Sequence, residues 1–269
     1  MAEETPTTSP RPSAATNAKV VAAIDCGTNS LRLLVCALDP ASGHAEELDR
    51  RTTIVRLGQD VDRTGVFADD ALARTFAALD EYMAVIGRYA VARVRLVATS
   101  AARDVVNRRQ FADGVMARVG VEPDVISGGE EARLSYDGAT RGLRALPWVS
   151  EPIAVLDLGG GSTELVIGDD TGQISGQSLD IGSVRLTERH LHGDPPTTAE
   201  VAAAEADVEA ALDTLELPLS GVRTLVGVAG SITTLAAHTL GLSHYDRERI
   251  HRARLSAADV LAAAAEMTR

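Results

Sequence analysis

Short apolar runs alternate with amphipathic segments along the first half of the chain. Two apolar runs, residues 20–25 and 31–38, flank a tight polar turn and predict two adjacent strands. Apolar residues then recur at intervals of three and four over residues 71–89, which predicts an amphipathic helix. Residues 94–98 follow as a buried strand. Strands that alternate with helices predict an α/β protein.

The same pattern restarts in the second half. Strands over residues 153–157 and 165–167 flank a glycine-rich turn and predict another hairpin. Thr197 with Glu200 three residues later is typical of a capping box at the start of a long helix. Further segments complete this half: a strand over residues 222–228, a helix over residues 232–240 and a helix from residue 256.

One motif occurs in both predicted hairpins. The segments DCGTNSLRLLV, from Asp25, and DLGGGSTELVI, from Asp157, share the pattern D-x-G-x-x-S-x-x-L-x-[V/I]. An acid before a glycine turn is common in single hairpins, but two matching copies predict two similar lobes that face each other.

The two turns carry the residue types that bind phosphate. Glycines let successive backbone N–H groups line one concavity, and such nests bind phosphate oxygens. Carboxylates at the ends of the first strands, Asp25 and Asp157, would let Mg²⁺ bridge protein and phosphate. The candidate phosphate-binding residues of the turns are Gly27, Thr28, Asn29, Ser30, Gly159, Gly160, Gly161, Ser162 and Thr163.

Composition narrows the classes of function. The chain has 269 residues, enough for two modest domains, and a formal net charge of -12 with 3% aromatic residues. This balance argues against a nucleic-acid partner, and no apolar run is long enough to span a membrane. The two cysteines, Cys26 and Cys36, favour a reducing cytoplasm over a disulfide framework. Residues 1–18 are rich in Thr, Ser, Pro and Ala and predict a disordered tail.

Five motifs in order resemble the exopolyphosphatase and guanosine pentaphosphate phosphohydrolase family, also called the Ppx/GppA phosphatases. They are DCGTNSLRLL, ATSAARD from Ala98, ISGGEEARL from Ile126, DLGGGSTELVIG from Asp157 and VGVAGSITTLAA from Val226. The resemblance implies a duplicated ribonuclease-H-like fold of the actin, Hsp70 and sugar-kinase type, with the active site in the cleft between two lobes. We expect an N-terminal lobe over residues 19–140 and a C-terminal lobe over residues 141–269.

The resemblance also implies roles for single residues. Glu131 would be the catalytic base, and Glu164 would lie near the metal beside Asp157. Adjacent helical residues point about 100° apart, so only one of Glu130 and Glu131 is expected to face the cleft. Gly230 and Ser231 would contact a distal phosphate.

Several arginines are candidates to neutralise a phosphate chain. Arg103 follows the strand at residues 94–98, and Arg133 lies two residues past Glu131. Arg32 and Arg185 are further candidates, although arginines at such positions are more often on the surface.

The resulting hypothesis is an exopolyphosphatase that uses Mg²⁺ or Mn²⁺, with pppGpp hydrolysis as an alternative for the same site. A sensor that binds polyphosphate or an alarmone without turnover, and an ATP-using kinase of the same superfold, stay open. The absence of a sugar-binding segment argues against the kinase. The resemblance suggests a homodimer, and it implies a further strand and loop beyond Arg269, so we expect an incomplete second lobe.

Overall fold

The computed structural model describes residues 18–267, so the predicted disordered tail at residues 1–18 lies, except for Ala18, outside the described residues. The first half contains strands β1 (Lys19–Cys26), β2 (Ser30–Leu38), β3 (Ala45–Ile54), β4 (Arg93–Ala98) and β5 (Asp124–Val125). Its helices are α1 (Val61–Thr64), α2 (Asp69–Ile86), α3 (Ser100–Arg103), α4 (Arg108–Val119) and α5 (Gly128–Thr140).

The second half repeats this alternation. Its strands are β6 (Ile153–Leu158), β7 (Thr163–Gly168), β8 (Ile174–Leu179) and β9 (Thr224–Val228). Its helices are α6 (Ser183–His190), α7 (Thr198–Leu212), α8 (Ala229–Thr239), α9 (Arg247–Ile250) and α10 (Ala257–Met267). Within residues 18–267, no helix combines the length and the apolar composition that a membrane span requires.

Two mixed sheets share one topology. The first has the order β3-β2-β1-β4-β5 and the second the order β8-β7-β6-β9. In each, the first three strands in sequence form an antiparallel meander and the next strand joins the meander's first strand in parallel. This duplicated ribonuclease-H-like arrangement confirms the predicted fold class.

The first sheet is held by a large apolar core. The apolar residues of α2, which recur every three to four positions, are largely buried, and Leu79 has no exposed surface. It packs with α4, where Phe111 and Val115 are also fully buried. Tyr82 donates a hydrogen bond of 2.8 Å to the carbonyl of Leu31, so the polar tip of this buried ring is satisfied.

The predicted elements agree with the structure to within a few residues, but two edge strands were missed. β3 is rich in charged residues and β8 in small polar ones, and each forms an outer edge of its sheet. An edge strand with a solvated face lacks the apolar pattern on which strand prediction depends. The capping box at Thr197 and Glu200 is present as predicted.

The helix that carries Glu131 packs on the second sheet. Ala132 and Tyr136 of α5 join the core cluster formed by Ile153, Val155 and Val166. The sequence predicted a boundary between the lobes at residue 140. Because α5 packs on the second sheet, we propose a boundary near residue 127 instead. The carboxylate of Glu131 would then belong to the lobe that carries Asp157.

Candidate active site

The two copies of the sequence motif form the same turn. In each, the glycine N–H donates to the carbonyl of the serine three residues later, from Gly27 to Ser30 and from Gly159 to Ser162, both at 3.0 Å. The turn joins an inner strand to its antiparallel neighbour in both lobes. The internal repeat therefore places two equivalent turns at equivalent ends of the two sheets.

The carbonyl groups of the second turn are committed to α6. The N–H of Ser183 binds the carbonyl of Gly159, and the N–H groups of Val184 and Arg185 bind that of Gly160. These bonds direct the turn's carbonyls toward one helix.

Several N–H groups of the turns remain available. Within residues 18–267, the backbone N–H groups of Thr28, Asn29, Gly160 and Gly161 have no hydrogen-bond acceptor. Unpaired donors from both lobes suit an anion with several oxygens, such as a phosphate chain.

The two turns also touch each other. A Cβ atom added at Gly161 would lie 2.5 Å from Thr28 Oγ1 and 2.7 Å from Ser100 Oγ. One added at Gly160 would lie 3.3 Å from Cβ of Asn29. The glycines are thus required for close approach of the lobes as well as for exposing N–H groups, and the cleft is closed at this point.

The first acid of each motif has a cross-strand partner at the same offset. Asp25 pairs with Arg32 in the first lobe, whereas Asp157 pairs with Glu164 in the second. The Arg32 guanidinium lies 3.5 Å from the Asp25 carboxylate. The repeat therefore places a cation beside one carboxylate and a second carboxylate beside the other.

Burial makes the Glu164 carboxylate of the second lobe costly to ionise. Glu164 is 1% exposed, and burial together with the Glu131 carboxylate raises its pKa to about 7. Its carboxylate accepts a hydrogen bond of 2.7 Å from Ser178, and Asp157 accepts one of 2.6 Å from Ser135. Among residues 18–267, no arginine, lysine or histidine forms an ion pair with either acid.

These oxygen donors suit a hard cation, but not as a complete cage. Within the described part of the chain, no three His, Cys, Asp or Glu side chains lie close enough to hold a metal ion together. The structure therefore does not gather Asp25, Asp157 and Glu164 into one three-ligand set. Mg²⁺ retains several waters and takes one or two carboxylates plus substrate phosphates, which fits the Asp157 and Glu164 pair.

Glu131 faces this cluster, and Glu130 does not. Arg103 Nη1 of the first lobe donates to Glu131 Oε2 at 2.8 Å and to the Ile126 carbonyl at 3.2 Å. Burial raises the pKa of Glu131, Arg103 opposes the rise, and the nearby Asp25 and Asp157 carboxylates add to it. Glu130 instead pairs with Arg95 near the surface, so the predicted divergence of these adjacent residues is present.

Some predicted site residues lie elsewhere. The side chain of Arg133 is 74% exposed and lies 3.9 Å from Asp137. It points away from Glu131 because two residues along a helix correspond to a rotation of about 200°. The structure does not bring it to the carboxylates. The Thr163 hydroxyl donates to the Ile181 carbonyl at 2.7 Å. Gly230 and Ser231 are the second and third residues of α8, which begins directly after the strand that aligns Val228 with Asp157.

Sequence reasoning missed the serines that orient the acids. Ser135 lies four residues after Glu131, and residues at this spacing lie on the same face of a helix. The spacing could therefore have predicted that Ser135 lies near the site. Ser178 lies on the unpredicted strand β8. No local pattern indicated that Ser178 would contact Glu164.

Comparisons with known proteins identify close relatives. Residues 38–268 match the sequence profile described as the Ppx/GppA phosphatase family. The chain is 48% identical over 250 residues to a Mycobacterium tuberculosis protein named Exopolyphosphatase 2, covering 90% of this chain and 77% of the relative.

Solved structures agree. The crystal structure of an exopolyphosphatase-like protein is 43% identical, with a TM-score of 0.88 over 93% of this chain and 78% of that one. An Aquifex aeolicus member of the Ppx/GppA family is 33% identical, with a TM-score of 0.73 over 93% and 79% of the two chains.

The contact between the turns yields a prediction for Gly161→Ala. We expect this variant to lose about 1–3 kcal/mol of unfolding free energy, because the new methyl group overlaps Thr28 and Ser100. Urea unfolding measures the loss. Gly138→Ala is the matched control, since nothing lies within 4 Å of its added Cβ. Equal stability of Gly161→Ala and the wild type would contradict the close contact.

Burial of Glu164 yields a pH prediction. Its folded pKa of about 7 lies above the ordinary value of 4.5, so the folded state binds more protons between these values. Its contribution to the free energy of unfolding is full below about pH 4 and is lost as pH rises through 7. We expect urea unfolding in EDTA to show a decline in stability from about pH 5 to 8 that is smaller in Glu164→Gln.

The control for this titration is Asp137→Asn, which removes a half-exposed carboxylate from α5. It should retain the wild-type dependence on pH. If Glu164→Gln also retained it, the buried carboxyl would not be the titrating group.

Proposed function

We propose that this chain, which belongs to the Ppx/GppA phosphatase family, is an exopolyphosphatase that removes terminal phosphate from inorganic polyphosphate. The observation that carries the proposal is the placement of Glu131 against Arg103 beside the acids Asp157 and Glu164. A base, a phosphate-binding cation and a pair of hard oxygen ligands are the groups that phosphoanhydride hydrolysis by water needs.

Glu131 accepts the proton of the attacking water. The ion pair with Arg103 fixes the direction of its carboxylate and favours the ionised form, which a base requires. Burial and the neighbouring acids raise its pKa, so the proton is held more readily than by an exposed glutamate. Arg103 thus favours the ionised form of the base, while burial and the neighbouring acids raise its pKa and make it a better proton acceptor.

Arg103 has donors to spare for the substrate. Both of its contacts, to Glu131 and to the Ile126 carbonyl, use Nη1. Within residues 18–267, its Nε and Nη2 groups have no hydrogen-bond partner. They can therefore donate to phosphate oxygens while Nη1 continues to hold Glu131, which would bring the base and the scissile phosphate together.

The free N–H groups of the two turns bind the phosphate chain from both lobes. Thr28 and Asn29 supply donors from the first lobe, and Gly160 and Gly161 supply donors from the second. Because the turns touch in this structure, the phosphates would lie along their rim, toward Asp157, rather than between them. The hydroxyl of Ser30 lies on the first turn, whereas Ser162 is 3% exposed and its side chain hydrogen-bonds Glu164.

Asp157 and Glu164 would hold a divalent cation, Mg²⁺ or Mn²⁺. When bound, the cation neutralises charge on the phosphate oxygens and offsets the cost of the buried acids. Ser135 and Ser178 orient the two carboxylates. Asp25 is already paired with Arg32, so we assign it to the electrostatic surroundings of the site rather than to the metal.

The alternative substrate is pppGpp, whose 5′ end presents the same phosphoanhydride group. The family name refers to both polyphosphate and pppGpp hydrolysis. The residues proposed around Glu131 would bind phosphate groups, which the two substrates share. A binding protein without turnover would not need a base at position 131.

We infer a cytoplasmic location, because Cys26 and Cys36 are both unpaired. A homodimer stays a prediction.

Glu131→Gln should abolish turnover and retain polyphosphate binding, because it removes the proton acceptor and keeps the shape of the side chain. We expect a loss of about 10²- to 10⁴-fold in kcat. Phosphate release from defined polyphosphates, pppGpp and ATP measures it. Glu130→Gln is the matched control, since that carboxylate pairs with Arg95 on the outer side. Equal activity of both variants would remove Glu131 as the base.

Asp157→Asn should raise the Mg²⁺ concentration that gives half-maximal rate by about 10- to 100-fold, because it removes an anionic ligand. The measurement is a Mg²⁺ titration of initial rate, paired with Mn²⁺ binding followed by electron paramagnetic resonance. Asp137→Asn on the exposed face of α5 should leave both unchanged. An unaltered half-maximal concentration in Asp157→Asn would contradict the assignment.

A further inference from the structure

Helix α6 holds the glycine turn of the second lobe from behind. Beyond the backbone N–H groups that bind the carbonyls of Gly159 and Gly160, the side chain of Arg185 donates from Nε to the carbonyl of Gly161 at 2.8 Å. All three glycine carbonyls are thus bound by the first turn of α6. The hydrogen bond from Arg185 therefore helps to fix the position of Gly161.

The same guanidinium reaches the first lobe. Its Nη1 donates to Asp62 Oδ1, and its Nη2 donates to Asp104 Oδ2 at 2.6 Å and to Ser100 Oγ at 3.4 Å. Asp62 follows the start of α1, and Asp104 follows α3. One side chain therefore joins the second lobe's glycine turn to two acidic residues of the first lobe.

These contacts leave Arg185 little capacity for substrate. Four of its five N–H groups are occupied by protein acceptors, and its side chain is only 12% exposed. A planar guanidinium with fixed donors suits such a junction better than a flexible ammonium group. Its role is therefore to position other groups, in contrast to Arg103, which keeps free donors.

We propose that Arg185 is a positioning residue that holds the two glycine turns in register, so that N–H groups from both lobes meet one phosphate chain. The inference rests on the proposed function, because it assigns the residue a part in the same phosphate site. The physical reason is the spacing at Gly161, where an added methyl would lie only 2.5 Å from Thr28. This spacing has no room to spare, so Gly161 and Thr28 would move out of register if the carbonyl of Gly161 were no longer held.

Arg185→Lys separates this role from a general ion pair. Lysine keeps the positive charge beside Asp62 and Asp104 but has no donor at the position of Nε, so the bond to Gly161 is lost. The matched control is Arg189→Lys on the same helix. Arg189 also pairs with Asp62, at 2.9 Å, and with Asp207, at 2.6 Å, but it does not contact the glycine turn.

We expect kcat/KM for polyphosphate to fall by about 10²-fold in Arg185→Lys, the scale of a misplacement by about 1 Å. The fall should include a rise in KM, because the turns bind the chain before reaction. Arg189→Lys should keep the wild-type kcat/KM. Equal losses in both variants, or no loss in Arg185→Lys, would overturn the proposal.

A distance measurement tests the same inference without turnover. Spin labels at Ala117→Cys on α4 and Ala203→Cys on α7, both exposed, report the separation of the lobes, while Cys26 and Cys36 are buried. Arg185→Lys should broaden the distance distribution, and Arg189→Lys should not. A wild type that releases no phosphate would refute the proposed function, and the distance distribution would still decide the role of Arg185. An unchanged distribution in Arg185→Lys would overturn that role.

Discussion

Four carboxylates lie near one another where the two lobes meet, and burial raises the pKa of three of them, Asp25, Glu131 and Glu164. Asp25, Glu131, Asp157 and Glu164 come from four different elements, β1, α5, β6 and β7, yet their charges act on one another. The surrounding structure answers this cost differently at each acid. Arg32 and Arg103 neutralise two of them, and Ser135 and Ser178 hydrogen-bond the other two. Among the residues that the structure describes, Asp157 and Glu164 have no arginine partner, so a divalent cation bound there would gain the most favourable electrostatic interaction.

The duplicated fold explains this asymmetry. The two lobes use one topology and one turn, closed by the same hydrogen bond, but the cross-strand partner of the first acid has changed from Arg32 to Glu164. At this one cross-strand position, the first lobe thus carries a cation and the second lobe an anion. Arg103 and Arg185 then connect the lobes, the first to the base and the second to the glycine turn. Electrostatic pairing across the junction supports the chemistry as well as the closed arrangement.

Glycine serves two physical purposes at this junction. In the turns it leaves N–H groups free for an anion, and at Gly160 and Gly161 it also removes the atom that would keep the lobes apart. Glycine also permits close packing within the second lobe, because a Cβ at Gly128, at the start of α5, would lie 2.7 Å from Cβ of Ser178. Close packing at these points fixes the base relative to the acids of the second sheet.

The elements whose pattern is local could be predicted from the amino-acid sequence. The period of α2, the two glycine turns, the capping box at Thr197 and the different directions of Glu130 and Glu131 all depend on residues within a few positions of one another. The repeated motif extended this to a duplicated fold and to the candidate acids. The partners of these acids could be found only in the folded protein, because Arg103 with Glu131 and Ser178 with Glu164 are pairs separated in sequence. The same holds for Arg185 with Asp62. Such contacts depend on how the sheets pack, and no local pattern encodes that.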